Sequence, residues 1–138
     1  MKIAADANVL LAAVLGGRAR LVLDDPEIEE VLTTSAAYAE VEEYATLLGR
    51  KRKLAPEVLM LAVATLPVSI VSPEVYKAAI TEADKQIGWR DPDDIELLAL
   101  AIHFKIPLWS NDNDFEGCGV EQLTTAEILS RLGIFGKR

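Results

Sequence analysis

Apolar residues fall along this chain in two kinds of block. Some are short, uninterrupted runs; others recur at three- and four-residue intervals among polar positions. The first kind predicts strands covered on both faces, the second predicts helices with one buried stripe. Lys2–Ala5 is a short apolar stretch that ends at Asp6. Val31-Leu32-Thr33-Thr34, Pro67–Val71 and Ile106–Ser110 are the next strand candidates, and Val120–Leu123 is a short fifth. Between them lie helical patterns. Val9–Leu15 stops at Gly16-Gly17, a helix C-terminal signal. Ser35 is placed to cap a helix to about Leu48, with Gly49 as its end. Pro56–Leu66 repeats apolar residues at helical spacing, and Ser72-Pro73 opens another helix. Asp91-Pro92-Asp93-Asp94 opens one that runs to about Phe104, with a stripe of Leu97, Leu98, Leu100 and Ala101. Thr124-Thr125 caps a last helix holding Ile128, Leu129 and Leu132. Strands alternating with helices predict an α/β fold: a parallel sheet of four to five strands between two helical layers. In such sheets ligands bind beyond the carboxyl ends of the strands.

Composition narrows the picture. At 138 residues the chain has room for one domain. Its 51% apolar and 26% charged content excludes a disordered chain. The single cysteine, Cys118, excludes an internal disulfide and a cysteine-built zinc framework. No apolar run reaches the ~18 residues that span a bilayer, and one lysine followed by Asp6 does not read as a signal peptide. The expectation is a cytoplasmic protein with no membrane partner. The 22 acids against 14 bases give a net charge of −8, which excludes a broad phosphate-coating surface. The charge is uneven, however. Residues 24–43 hold eight acids and no Lys or Arg, whereas Arg50, Lys51, Arg52 and Lys53 stand in a row. That basic run is the best candidate for steering phosphates, and Arg18, Arg20 and Arg90 are further ones.

Several acids follow strand candidates or open helices. Asp6 follows the first strand, Glu40 lies about one and a half turns into the helix after the second, Asp94 is in the first turn before the fourth, and Asp112 and Asp114 follow the fourth. A parallel sheet can bring these to one edge. Packed carboxylates repel and raise one another's pKa unless a cation sits among them. Oxygen ligands without histidine or cysteine specify a hard divalent ion, Mg²⁺ or Mn²⁺. Each acid also has a plainer role. Asp6 and Asp94 suit helix caps, Glu40 a solvated face, and Asp112 and Asp114 turns.

The motifs in order resemble the PIN-domain family, which includes the ribonuclease toxins of VapBC toxin–antitoxin pairs. KIAADANVLLAAV is similar to the family's opening strand, Asp, Asn and helix; TTSAAYAEVEEY to its second motif; DPDDIELLALA to its third; IPLWSNDNDF to its last; and TTAEIL to its closing segment. The resemblance implies a three-layer nuclease domain, usually an RNase, often dimeric, using Mg²⁺ or Mn²⁺, with RNA as substrate and an antitoxin protein as partner. Position by position it assigns Asp6, Glu40, Asp94 and Asp112 to the metal-binding acids and Asp114 to a frequent fifth, with Asn8 and Ser110 as supporting polar residues. Asp91 and Asp93 stand close to Asp94 as alternatives in the third motif. Trp109 replaces a more usual small branched residue, and Ser110 a more frequent Thr.

The remaining chemistry-bearing residues have structural readings. His103 sits in an apolar helix, Cys118 lies between two nearby glycines, and Tyr38, Tyr44 and Tyr76 fall at helical spacings that suit a core or a dimer interface. No Ser-His or Cys-His pair supplies a nucleophile, which a metal-activated water does not need. Two alternatives come from other classes. One is a PIN-fold RNA- or protein-binding module with little or no activity. The other, a receiver-like signalling domain, needs an Asp after the third strand, where Ser72-Pro73 stands.

Overall fold

The computed structural model describes residues 1–87, 92–112 and 115–134, with Pro92 and Asp93 described by their backbone. In chain order the elements are β1 (Lys2–Ala5), α1 (Ala7–Val14), α2 (Ala19–Asp24), β2 (Glu30–Thr34), α3 (Ser35–Lys51), α4 (Pro56–Ala64), β3 (Ser69–Val71), α5 (Pro73–Tyr76), a 3-10 turn (Lys77–Ala79), α6 (Ile80–Ile87), α7 (Pro92–Phe104), β4 (Leu108–Trp109), β5 (Gln122–Leu123) and α8 (Thr125–Arg131).

The strands form one parallel sheet in the order β3-β2-β1-β4-β5. Side chains alternate across a strand, and the register aligns them. Ile3, Ala5, Val31, Trp109 and Leu123 face one side with α1, α2, α3, α4 and α8. Ala4, Leu32 and Leu108 face the other with α5, α6 and α7. Both faces are covered, so the fold is the expected three-layer α/β/α sandwich, with five strands.

The topology selects the site. The chain steps outward from β1 to β2 to β3 through helices on the first face. It then returns across the second face to place β4 on the free side of β1. Right-handed crossovers require this change of face when the direction reverses. The carboxyl ends of β1 and β4 are therefore neighbours at the switch point, where open α/β sheets bind ligands. Asp6 N–H donates to the Trp109 carbonyl at 3.2 Å across that junction.

Several local readings change. Gly16-Gly17 does end α1: Gly17 N–H reaches Ala12 O at 2.8 Å and Gly16 N–H reaches Ala13 O at 3.1 Å, with Gly16 at φ 86. Gly49 does not end α3. The helix runs through it to Lys51, and a Cβ on Gly49 would lie 1.8 Å from Leu59 Cδ1 of α4. The glycine is there for close helix packing. The actual stop uses the same pair of bonds as α1, Leu54 N–H to Gly49 O at 2.9 Å and Lys53 N–H to Arg50 O at 3.2 Å, with Lys53 at φ 57. The cap of α3 is Thr34 rather than Ser35: Thr34 is still extended, and its hydroxyl accepts Ala37 N–H at 3.0 Å. At α8, Thr124 forms a full capping box with Glu127. Helix α2 was not anticipated, and buries Ala19, Val22 and Leu23.

Candidate active site

Asp6 is the first residue beyond β1 and the N-cap of α1, and it is 8% exposed. Its Oδ1 accepts Val9 N–H at 2.9 Å. It also accepts the Asn8 backbone N–H and the Ser110 hydroxyl. Burial pushes its pKa above the ordinary carboxylate value, the Ser110 and Val9 hydrogen bonds oppose that, and the charge of Asp112 adds to it. The fold thus buries a carboxylate and sets a second carboxylate within electrostatic reach. Such an arrangement costs stability until a cation or a proton arrives.

Ser110 joins the two acids. It is fully buried; it donates to Asp6, and its Oγ accepts Asp112 N–H at 3.3 Å. Trp109 is also fully buried, and its indole N–H donates to the Thr125 hydroxyl at 2.9 Å. Its size fills the first core layer, so the unusual residue serves packing. Past β4, Asn111 Oδ1 accepts Thr125 N–H at 2.8 Å, and the Gln122 side-chain amide donates to the carbonyls of Ser110 and Asp112. Sequence reasoning missed Asn111 and Gln122, and read Thr125 only as part of the cap of the last helix. No signal in the sequence places β5 beside β4.

The other predicted residues are distributed as follows. Glu40 is half-buried on α3, which starts at the carboxyl end of β2. Asp94 is half-buried in the first turn of α7. Among the described residues, no three Asp, Glu, His or Cys side chains stand close enough to share one ion. Among the described interactions, the charge of Asp112 acts on Asp6. Asp114, Arg90 and Asp91 lie outside the described residues, as does the side chain of Asp93. Asn8 is exposed and serves Asp6 through its backbone N–H. Its side chain lines a groove of about 330 Å³ with Leu11, Ala12, Leu15, Gly17 and Arg52. Arg50 and Lys51 form the last turn of α3, Arg52 is its C-cap, and all four bases of the run are exposed. Arg20 pairs with Asp24 at 3.2 Å.

Of the remaining candidates, His103 is exposed with its ring edge-on to Phe104, and Cys118 is buried. Tyr38 donates to Val63 O at 2.9 Å, tying α3 to α4. Tyr76 is fully buried and donates to Glu96 at 2.6 Å; burial and that carboxylate push its pKa well up.

The donor set fits a hard divalent ion: carboxylate and hydroxyl oxygens, with one carboxylate already desolvated. A sequence profile described as the PIN domain matches residues 4–133. The chain belongs to the PIN domain family. Members of this family are typically nucleases that use divalent metal ions. The PIN fold recurs in solved structures. FitAcB from Neisseria gonorrhoeae superposes with a TM-score of 0.66 at 20% identity, covering 89% of this chain and 97% of that one. VapBC2 from Rickettsia felis, bound to a promoter DNA fragment, gives 0.65 at 13%, covering 90% and 98%. The sarcin-ricin-loop-cleaving toxin VapC20 from Mycobacterium tuberculosis gives 0.60 at 19%, covering 88% and 98%. No curated protein sequence matches the chain. Among the described residues, no helix is long and apolar enough to cross a membrane.

Proposed function

We propose that this PIN domain is a Mg²⁺- or Mn²⁺-dependent endoribonuclease, the toxin of a toxin–antitoxin pair acting in the cytoplasm. The observation that carries this is the desolvated Asp6 set against Asp112 at the β1–β4 switch point, with Ser110 holding both. Asp6 and Asp112 would hold the ion, with Glu40, Asp94 and Asp114 as the further acids of the site. When bound, such an ion supplies Lewis acidity to water and to a phosphodiester. The chain's own part is to position and to exclude water. Ser110 and the start of α1 fix the Asp6 carboxylate, and the buried Trp109 anchors the strand beneath. In a chain of net charge −8, Arg50, Lys51, Arg52 and Lys53 are the phosphate-steering residues, and Arg52 shares its groove with Asn8, two positions from Asp6.

A protein partner suits the surface of α4, where Val58, Met60 and Leu61 are 64%, 70% and 64% exposed. A cognate antitoxin is the partner proposed, and a homodimer the assembly. The test is cleavage of a mixed RNA pool by the purified chain. Cleavage is expected with Mg²⁺ or Mn²⁺, to stop with chelator, and to fall at least a hundredfold in Asp6→Asn and Asp112→Asn. Full activity in Asp6→Asn sinks the site. Metal-independent RNA binding without cleavage favours the non-catalytic module instead.

A further inference from the structure

We propose that Gln122 is a positioning residue for Asp112. The proposal rests on the nuclease reading above, since it concerns how one of that site's acids is held. The sheet ladder beyond β4 ends where Ser110 N–H meets Leu123 O at 3.1 Å. Asp112 lies two residues further on, past the end of β4. Gln122, the first residue of β5 and half-buried, takes over at that point. Its Nε2 donates to Ser110 O at 3.1 Å and to Asp112 O.

A primary amide has two N–H donors on one nitrogen. Both are spent here on the carbonyls of residues i and i+2 of one turn, which closes the turn as a clip. Glutamate has the same shape but only accepts, so it would face two carbonyls with a third acceptor. Methionine has the same length and no donor. Two further bonds hold this turn: Asn111 Oδ1 accepts Thr125 N–H at 2.8 Å, and Ser110 Oγ accepts Asp112 N–H at 3.3 Å. Gln122 thus ties the Asp112 carbonyl to β5, beside the tie that Ser110 makes to the Asp112 N–H. Hydrogen-bonding partners that orient a metal ligand typically govern about 10–100-fold in affinity or activity.

The experiment uses the full chain as wild type, Gln122→Met, Gln122→Glu and Asp6→Asn. Three quantities are measured: Mn²⁺ binding by titration calorimetry, exchange of the Asp112 amide in metal-free buffer, and kcat and KM on RNA. In Gln122→Met we expect Mn²⁺ affinity to drop about 10–100-fold, the Asp112 amide to exchange faster, and kcat to fall with KM for RNA unchanged. Gln122→Glu is expected to do the same, and supplies the answer should the methionine variant not fold. Asp112 exchange equal to wild type in either folded variant overturns the proposal. So does Mn²⁺ affinity within twofold of a wild type that binds. Wild type and Asp6→Asn both failing to bind Mn²⁺, with Asp112 exchange still faster in Gln122→Met, overturns the nuclease reading and leaves the clip standing.

Discussion

Replacing Gly49 by alanine sets two effects of opposite sign against each other. In a helix interior alanine is favoured over glycine by about 1 kcal/mol. Here the new Cβ would stand 1.8 Å from Leu59 Cδ1 and 3.3 Å from Leu59 Cγ. Carbon atoms settle at about 3.5–4.0 Å. Leu59 is 5% exposed, so its methyl has no water to swing into. Either α3 and α4 separate or Leu59 leaves its rotamer, at about 1–3 kcal/mol. The expected net effect is a loss of about 0–2 kcal/mol. A second substitution separates the two effects. Leu59→Ala alone is expected to cost about 2–5 kcal/mol. Combined with Gly49→Ala it should cost less, because the new methyl occupies part of the vacated space, and the coupling should exceed about 1 kcal/mol. Urea unfolding of the four proteins in metal-free buffer gives these numbers, provided the slopes agree. A gain of about 1 kcal/mol in Gly49→Ala, with additive substitutions, refutes the close contact.

Three further outcomes follow from other features. Asp6 has a raised pKa from burial and from Asp112, so the native state binds its proton at a pH where the unfolded chain has lost it. This group should therefore add stability to the metal-free protein as pH falls through its folded pKa toward the ordinary carboxylate value; Asp6→Asn should melt higher than wild type at pH 7, and the gap should close on acidification. A wild type more stable than Asp6→Asn at pH 7 without metal contradicts this. Lys53 holds a left-handed φ of 57 at the end of α3; Lys53→Gly should add about 0.5–1 kcal/mol in thermal or urea unfolding, since the αL conformation costs an L-residue about 1–2 kcal/mol and glycine returns part of that as entropy. Lys51→Ala with Arg52→Ala should weaken RNA binding at low salt and flatten its salt dependence while leaving saturated turnover near wild type; an unchanged salt slope removes the steering role.

The residues differ in how far their roles were visible in the sequence. Asp6 was legible because a buried strand followed at once by an acid leaves that acid at the sheet edge whatever the strand order. The alternation of strands and helices gave the layers for the same reason. Gly49 was misread because a glycine after a helical pattern looks the same whether it ends the helix or admits a neighbour. Only the approach of Leu59 distinguishes them. Ala19, Val22 and Leu23 did carry the spacing of an amphipathic turn, but α2 spans six residues and offers little more pattern than chance. The contacts of Asn111, Gln122 and Thr125 could not be found, since they depend on β5 lying against β4. Of the expected acidic cluster, the described interactions set Asp112 within electrostatic reach of Asp6, with Glu40 on α3 and Asp94 in the first turn of α7.

The position of β1 at the middle of the sheet has a consequence for how the protein is made. Its pairing with β2 needs only the next few dozen residues, but its other neighbour, β4, begins at Leu108. Asp6 therefore waits for Asp112 until more than a hundred further residues have left the ribosome, about 5–20 s at ordinary elongation rates. Until β4 docks, the nascent chain carries one half of the acid pair. Under the function proposed above, the nuclease is in this way unable to act on the message from which it is still being read.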